Sequence, residues 1–204
     1  VSFRLEPGTF PALVGPSGSG KTTVLRLVAR FWDATSGSVR LGGVDVRELG
    51  SEQVIERVAV VFQDVYLFEG SILDNVRVGR PEASDEDVAE AIRAARLQEV
   101  ADRLPGGLDT PVGEGGARLS GGERQRVSIA RALLKDAPIV LLDEATAAVD
   151  TETEAALADA FAALATGRTV VAIAHRLETV TGADRILVLD DGCIVEDGDH
   201  ESLV

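Results

Sequence analysis

An α/β domain with a largely parallel central sheet is the fold class this sequence predicts, on three observations. Short β-branched runs alternate with helical stretches along the chain. Two of those runs, Ile139-Val140-Leu141-Leu142 and Val170-Val171-Ala172-Ile173, are apolar throughout, as strands covered on both faces must be. The chain has 204 residues, 45% hydrophobic and 26% charged, an ordinary globular composition with enough length to bury a core. A small antiparallel side sheet and a helical insert complete the expectation.

In chain order, strands are expected at 10–14, 58–62, 139–142, 169–174 and 185–189. Residues 38–41 and 44–46, separated by Gly42 and Gly43, read as a small hairpin. Residues 185–189 and 193–195 read as another, across Asp190, Asp191 and Gly192. Both hairpins are expected at edges or in the side sheet. An amphipathic helix is expected over 21–30. Ser84 with Asp87, Ser120 with Glu123 and Thr151 with Glu154 have capping-box spacing, placing helices from about 85, 121 and 152. Between 71 and 104 no strand pattern occurs, so this stretch reads as a helical insert between the second and third core strands. Glycines and prolines at 105–107 and 113–116 mark the return to the core. The domain expectation is one core from 1–62 and 136–204, with a helical subdomain at 71–135. Val1 reads as mid-strand, with no Met in the chain and no charged-then-apolar leader, so the sequence reads as a fragment of a longer protein.

Charge and composition exclude several function classes. Twenty Lys and Arg against 34 Asp and Glu leave a net charge of −14 with no basic run, so no nucleic-acid partner is expected. The single cysteine, Cys193, excludes an intrachain disulfide framework and a multi-cysteine metal site. The apolar strand runs are far shorter than the roughly 18 residues a membrane span requires.

Gly15-Pro16-Ser17-Gly18-Ser19-Gly20-Lys21-Thr22, with Thr23 behind it, follows the apolar run at 10–14 and opens the helix at 21. This is the spacing of a phosphate-binding loop. Glycines let consecutive N–H groups face the phosphates, the helix N-terminus adds its dipole, Lys21 reaches the β- and γ-oxygens, and the Thr22 hydroxyl suits Mg²⁺. The chain uses two lysines against 18 arginines, and one of the two stands here. Downstream, Ile139-Val140-Leu141-Leu142-Asp143-Glu144 is an apolar strand ending in two carboxylates. That order directs Asp143 toward the metal and leaves Glu144 to orient or deprotonate a water at the γ-phosphate.

Leu119-Ser120-Gly121-Gly122-Glu123-Arg124-Gln125-Arg126 adds a second helix N-terminus with two glycines in its first turn, where each costs roughly 0.5–1 kcal/mol against Ala. Ser120 is a cap, and bare N–H groups there favour a phosphate. Taken with the phosphate loop, Gln63, Asp143, Glu144, Asp150 and His175 in this order, the chain resembles the nucleotide-binding domain of ATP-binding cassette (ABC) transporters over nearly its whole length. The resemblance implies a P-loop NTPase core binding ATP and Mg²⁺, with Thr22, Gln63 and Asp143 at the metal. It implies Glu144, Gln63 and His175 as catalytic residues. It also implies a dimer in which Ser120, Gly121, Gly122 and Glu123 of one domain close over ATP held by 15–23 of a second, with Asp150 at the interface.

Residues 61–75, which include Tyr66, Leu67 and Phe68, and residues 110–116 resemble the membrane-facing segments of exporter-type ABC proteins. The run 63–68 resembles those handling iron siderophores. This implies a transmembrane partner on the same full-length chain and a location at the cytoplasmic face of the cell membrane. Tyr66, Leu67 and Phe68 are expected to line a docking groove, with a core role as the alternative. Thr22, Glu123, Ala147 and Pro111 depart from commoner family residues without removing a group needed for hydrolysis. The family's adenine-stacking aromatic would fall before Val1. A soluble ABC ATPase of DNA repair or translation is the rival reading, disfavoured by the segment around Gln63, and a P-loop kinase is disfavoured by Ser120 to Glu123.

Overall fold

The computed structural model describes residues 1–143, 151–174 and 180–203. The chain divides into two compact units, Val1–Val60 with Ala137–Glu144 and Gly167–Val204, and Val61–Asp136 with Ala145–Thr166.

The first unit is built on β1 (Pro11–Val14), β4 (Val58–Val61), β5 (Ile139–Asp143), β6 (Thr169–Ile173), β7 (Arg185–Asp190) and β8 (Cys193–Gly198), hydrogen-bonded in the order β4-β5-β6-β1-β7-β8. β1 runs parallel to both β6 and β7, and β5 parallel to β6, with Ala12 opposite Ala172 and Leu141 opposite Val171. Parallel neighbours explain the unbroken apolar runs: Val140, Leu141, Val170 and Val171 are buried, as strands sheltered on both faces are. The core beneath joins Leu13, Leu25, Leu141, Val171, Ile173, Leu187 and Leu189.

Two short strands, β2 (Arg40–Leu41) and β3 (Val44–Asp45), form the small antiparallel sheet. The hairpin at the end of the chain lies at one edge of the main sheet, with β7 between β1 and β8 and β8 as the edge strand on that side. Its turn is the two-residue Asp191-Gly192, both at positive φ (44° and 71°), the conformation that a tight hairpin demands. Residues 1–10 carry no strand, so Val1 does not lie mid-strand. α1 (Lys21–Val28) follows β1. An unpredicted helix, α2 (Ser51–Arg57), precedes β4 and opens with the Gln53 side chain accepting from the Gly50 N–H at 2.9 Å.

The second unit holds α3 (Ile72–Arg77), α4 (Asp85–Ala94), α5 (Gln98–Arg103), α6 (Gly121–Lys135) and α7 (Thr151–Ala165). Serine caps start three of them. Ser71 and Asp74 form a reciprocal capping box on α3, and Ser120 and Glu123 form one on α6. Ser84 caps α4 through the Asp87 N–H, but the Asp87 carboxylate turns to Arg80 at 2.8 Å, so half of the expected box is made. Thr151 lies within the described helix α7, not ahead of it.

Candidate functional site: a phosphate loop and a glycine-started helix

The phosphate loop occupies the carboxyl end of β1, where ligands bind in sheets of this kind. Gly15 has φ 146°, and a Cβ placed on it would stand 2.0 Å from the Leu189 carbonyl oxygen of β7. The loop therefore lies directly on the terminal hairpin. The Gly192 N–H of its turn donates to the Ser19 carbonyl at 3.2 Å, bracing the loop from the other side. Gly18 and Gly20 also have positive φ. Lys21, 5% exposed, donates from Nζ to the Gly15 and Pro16 carbonyls at 2.9 and 2.8 Å and to Ser19 Oγ at 3.4 Å. The ammonium thus spans the mouth of the loop it would share with phosphate oxygens, while Pro16, Ser17 and Gly18 are exposed around it.

Thr22 is the second residue of α1, and its Oγ1 donates to Asp143 Oδ1, at the end of β5, across 3.3 Å. A hydroxyl and a carboxylate at that separation form a hard-oxygen pair of the kind Mg²⁺ takes, with phosphate oxygens and waters completing its shell. No group of three or more His, Cys, Asp or Glu is gathered among the described residues; a Mg²⁺ held largely by a nucleotide does not need one. Thr23 is exposed beside the pair. Glu144, Asp150 and His175 lie outside the described residues.

In the second unit, α6 begins as its sequence requires. Ser120 Oγ accepts the Glu123 N–H at 3.3 Å, and Glu123 Oε2 accepts the Ser120 N–H at 2.8 Å. The capping residues take the third helical N–H, leaving those of Gly121 and Gly122 among the groups a helix start cannot pair internally. Gly121 has no described atom within 4 Å of where its Cβ would be, and an ordinary φ. Nothing in the described fold excludes alanine there.

Gln63 is exposed in the loop after β4. Beyond it the expected trio divides. Tyr66 and Phe68 are exposed, 64% and 51%, with rings edge-to-face at 5.6 Å, whereas Leu67 is fully buried. A Cβ on Gly116 would fall 3.0 Å from the Leu67 Cδ1, so Leu67 anchors this loop to residues 113–116 and does not line a groove. Alternation along an extended segment sends neighbours to opposite sides, which apolarity alone did not reveal. Two residues that no sequence motif marks hold the loop. Asn75, 1% exposed, accepts the Phe68 N–H and donates to the Phe68 and Ser71 carbonyls. Arg131 donates to the Asn75 carbonyl and Oδ1, both at 2.9 Å, and lies 5.5 Å from the centre of the Phe68 ring. Burial pushes its guanidinium below the ordinary arginine value.

The family model described as "ABC transporter" matches residues 1–147. The chain belongs to the ABC transporter family. Among its ABC relatives, the mycobactin import ATP-binding/permease protein IrtB of Mycolicibacterium thermoresistibile is 56% identical over all 204 residues, which span 35% of that protein. IrtB of Mycolicibacterium smegmatis is 55% identical over the same residues and share. ATP-binding cassette sub-family B member 6 of Mus musculus is 49% identical over 204 residues, 24% of its length. The solved structure of a bacterial Atm1-family ABC exporter with ATP bound superposes with TM-score 0.93 at 44% identity, covering all of this chain and 36% of that one. The chain thus spans about a third or less of the relatives it matches. These exporter-type likenesses agree with the mixed α/β fold and its mostly parallel sheet.

Proposed function

We propose that this chain is the ATP-hydrolysing domain of an exporter-type ABC transporter. In this reading 1–62 and 136–204 form the ATPase core and 71–135 the helical subdomain. It pairs with a second nucleotide-binding domain, alike or different, and acts on a transmembrane domain of the same full-length protein at the cytoplasmic face of the membrane. The cargo proposed is a siderophore. The mycobacterial relatives are mycobactin import proteins, and their being permeases weighs against a soluble ATPase of repair or translation.

The observation that carries the composite site is Gly121. A glycine in a helical first turn costs stability, and no described atom of this chain occupies its Cβ position. Nothing among the described residues imposes glycine there, and a phosphate lying against bare N–H groups at a helix start is a reason for it.

In the mechanism, Lys21 exchanges its hold on the Gly15 and Pro16 carbonyls for the β- and γ-oxygens, and the N–H groups of 15–23 take the remaining phosphate charge. Thr22, Asp143 and Gln63 would hold Mg²⁺, which would offset charge on the phosphates. Glu144 accepts the proton of the attacking water, while His175 reaches the γ-phosphate. Ser120 and Gly121 of the second domain cover the same phosphate, and Asp150 crosses the interface. Tyr66 and Phe68 offer the transmembrane partner two large apolar anchors.

Glu144→Gln tests the chemistry. Turnover should fall by at least about a hundredfold, the range of general-base catalysis, with ATP affinity kept within a few-fold. Near-normal turnover would remove Glu144 from this role.

A further inference from the structure

The helix that would meet a second domain's ATP carries a negative charge of its own at that end. A helix start favours an anion, and in α6 Glu123 already supplies one from within, its Oε2 on the Ser120 N–H. A carboxylate one turn from Ser120 and Gly121 repels the triphosphate that those residues would receive.

The structure holds a counter-charge beside it. Arg103, the last residue of α5, donates from Nη2 to Glu123 Oε1 at 3.4 Å. Its Nε donates to the Glu99 carbonyl one turn back, at 3.2 Å, so the guanidinium is tethered to its own helix while it faces α6. The Glu99 carboxylate is engaged elsewhere, 3.2 Å from Arg96 and 3.5 Å from the buried Arg126, which leaves Arg103 to Glu123. Glu123 thereby has one oxygen on the backbone and the other on a cation. The Arg103 side chain is 62% exposed and that of Glu123 is 20% exposed. An ion pair this open to water adds little to folding stability. Its effect on a charged ligand arriving at the same helix end is another matter, because that ligand meets a neutral pair in place of a bare carboxylate.

We propose that Arg103 is a positioning residue of the signature segment. By pairing with Glu123 it keeps the face of Ser120 and Gly121 receptive to the phosphates of ATP held by a second domain. Nucleotide affinity then depends on a residue that belongs to none of the nucleotide motifs. The inference rests on the composite site proposed above.

The test compares ATP hydrolysis by the assembled transporter in lipid nanodiscs, for the parent and for Arg103→Ala, Arg103→Lys, Glu123→Gln and the double variant Arg103→Ala with Glu123→Gln. Arg103→Ala should raise the KM for ATP about threefold, the size expected of an exposed charge pair, with kcat kept within about twofold. Arg103→Lys should restore most of the loss. The Arg103→Ala effect should shrink as salt rises from about 0.1 M to about 1 M, where the screening length falls from about 10 Å to about 3 Å. With Gln at 123, removing Arg103 should leave KM unchanged. An unaltered KM in Arg103→Ala, or the same rise with Gln as with Glu at 123, overturns the inference and leaves the functional reading standing. A parent protein that hydrolyses no MgATP overturns both.

Discussion

Gly15 shows why a phosphate loop is intolerant at particular residues. Its backbone lies so close to β7 that a Cβ would stand 2.0 Å from the Leu189 carbonyl oxygen, and its φ of 146° is one that other residues rarely adopt. Gly15→Ala should therefore cost about 2 kcal/mol or more, since strain of 1–3 kcal/mol adds to a backbone clash that no rotamer relieves. Denaturant unfolding of the domain measures it, and a loss under about 0.5 kcal/mol, the range of surface substitutions, would contradict the packing described. Gly18, with open space around its Cβ position, lacks the clash and retains the φ penalty alone. The loop residues were legible in the sequence because their spacing is dictated by a phosphate, a ligand of fixed size. The hairpin that Gly15 rests on was not, because Leu189 lies 174 positions away in the chain and nothing local announces the contact.

At the scale of elements, legibility followed the distance over which each cause acts. Serine caps on α4 and α6 act over three residues and were readable; the apolar strands β5 and β6 declared a sheltered environment by composition. α2 was missed because one of its seven residues, Val54, is buried, so it shows little periodicity. The same limit hid the latch between α3 and α6. Asn75 joins the Phe68 backbone, the Ser71 carbonyl and Arg131, all on its side chain. In sequence it reads as one more polar helix residue. Asn75→Ala takes the acceptor from the Phe68 amide and one of the two Asn75 acceptors from the Arg131 guanidinium, which keeps the Asn75 carbonyl, so it should destabilise the domain by about 1–3 kcal/mol, the cost of stranding a buried polar group. It should also sharpen amide exchange at Phe68, measurable by hydrogen–deuterium exchange. Unchanged exchange there would show that Phe68 is held by something else.

For the whole molecule, the two segments proposed to share an ATP lie in different units. Lys21, Thr22 and Asp143 gather at one end of the sheet, and Ser120 and Gly121 stand at the start of α6 in the other unit. What the sequence could not show by itself is that no described atom of this chain lies against Gly121. That observation supports the proposed partner, and the central claim is that two chains share each ATP. Two differently tagged copies of the full-length transporter test it most directly, one with Lys21→Ala and the other with Ser120→Arg, purified in sequence through both tags. In the mixed dimer one interface carries both lesions and the other neither. The account predicts that each variant alone is inactive and that the doubly tagged species hydrolyses ATP at roughly half the parent rate if the sites act independently. A doubly tagged species as inactive as the single variants would contradict it.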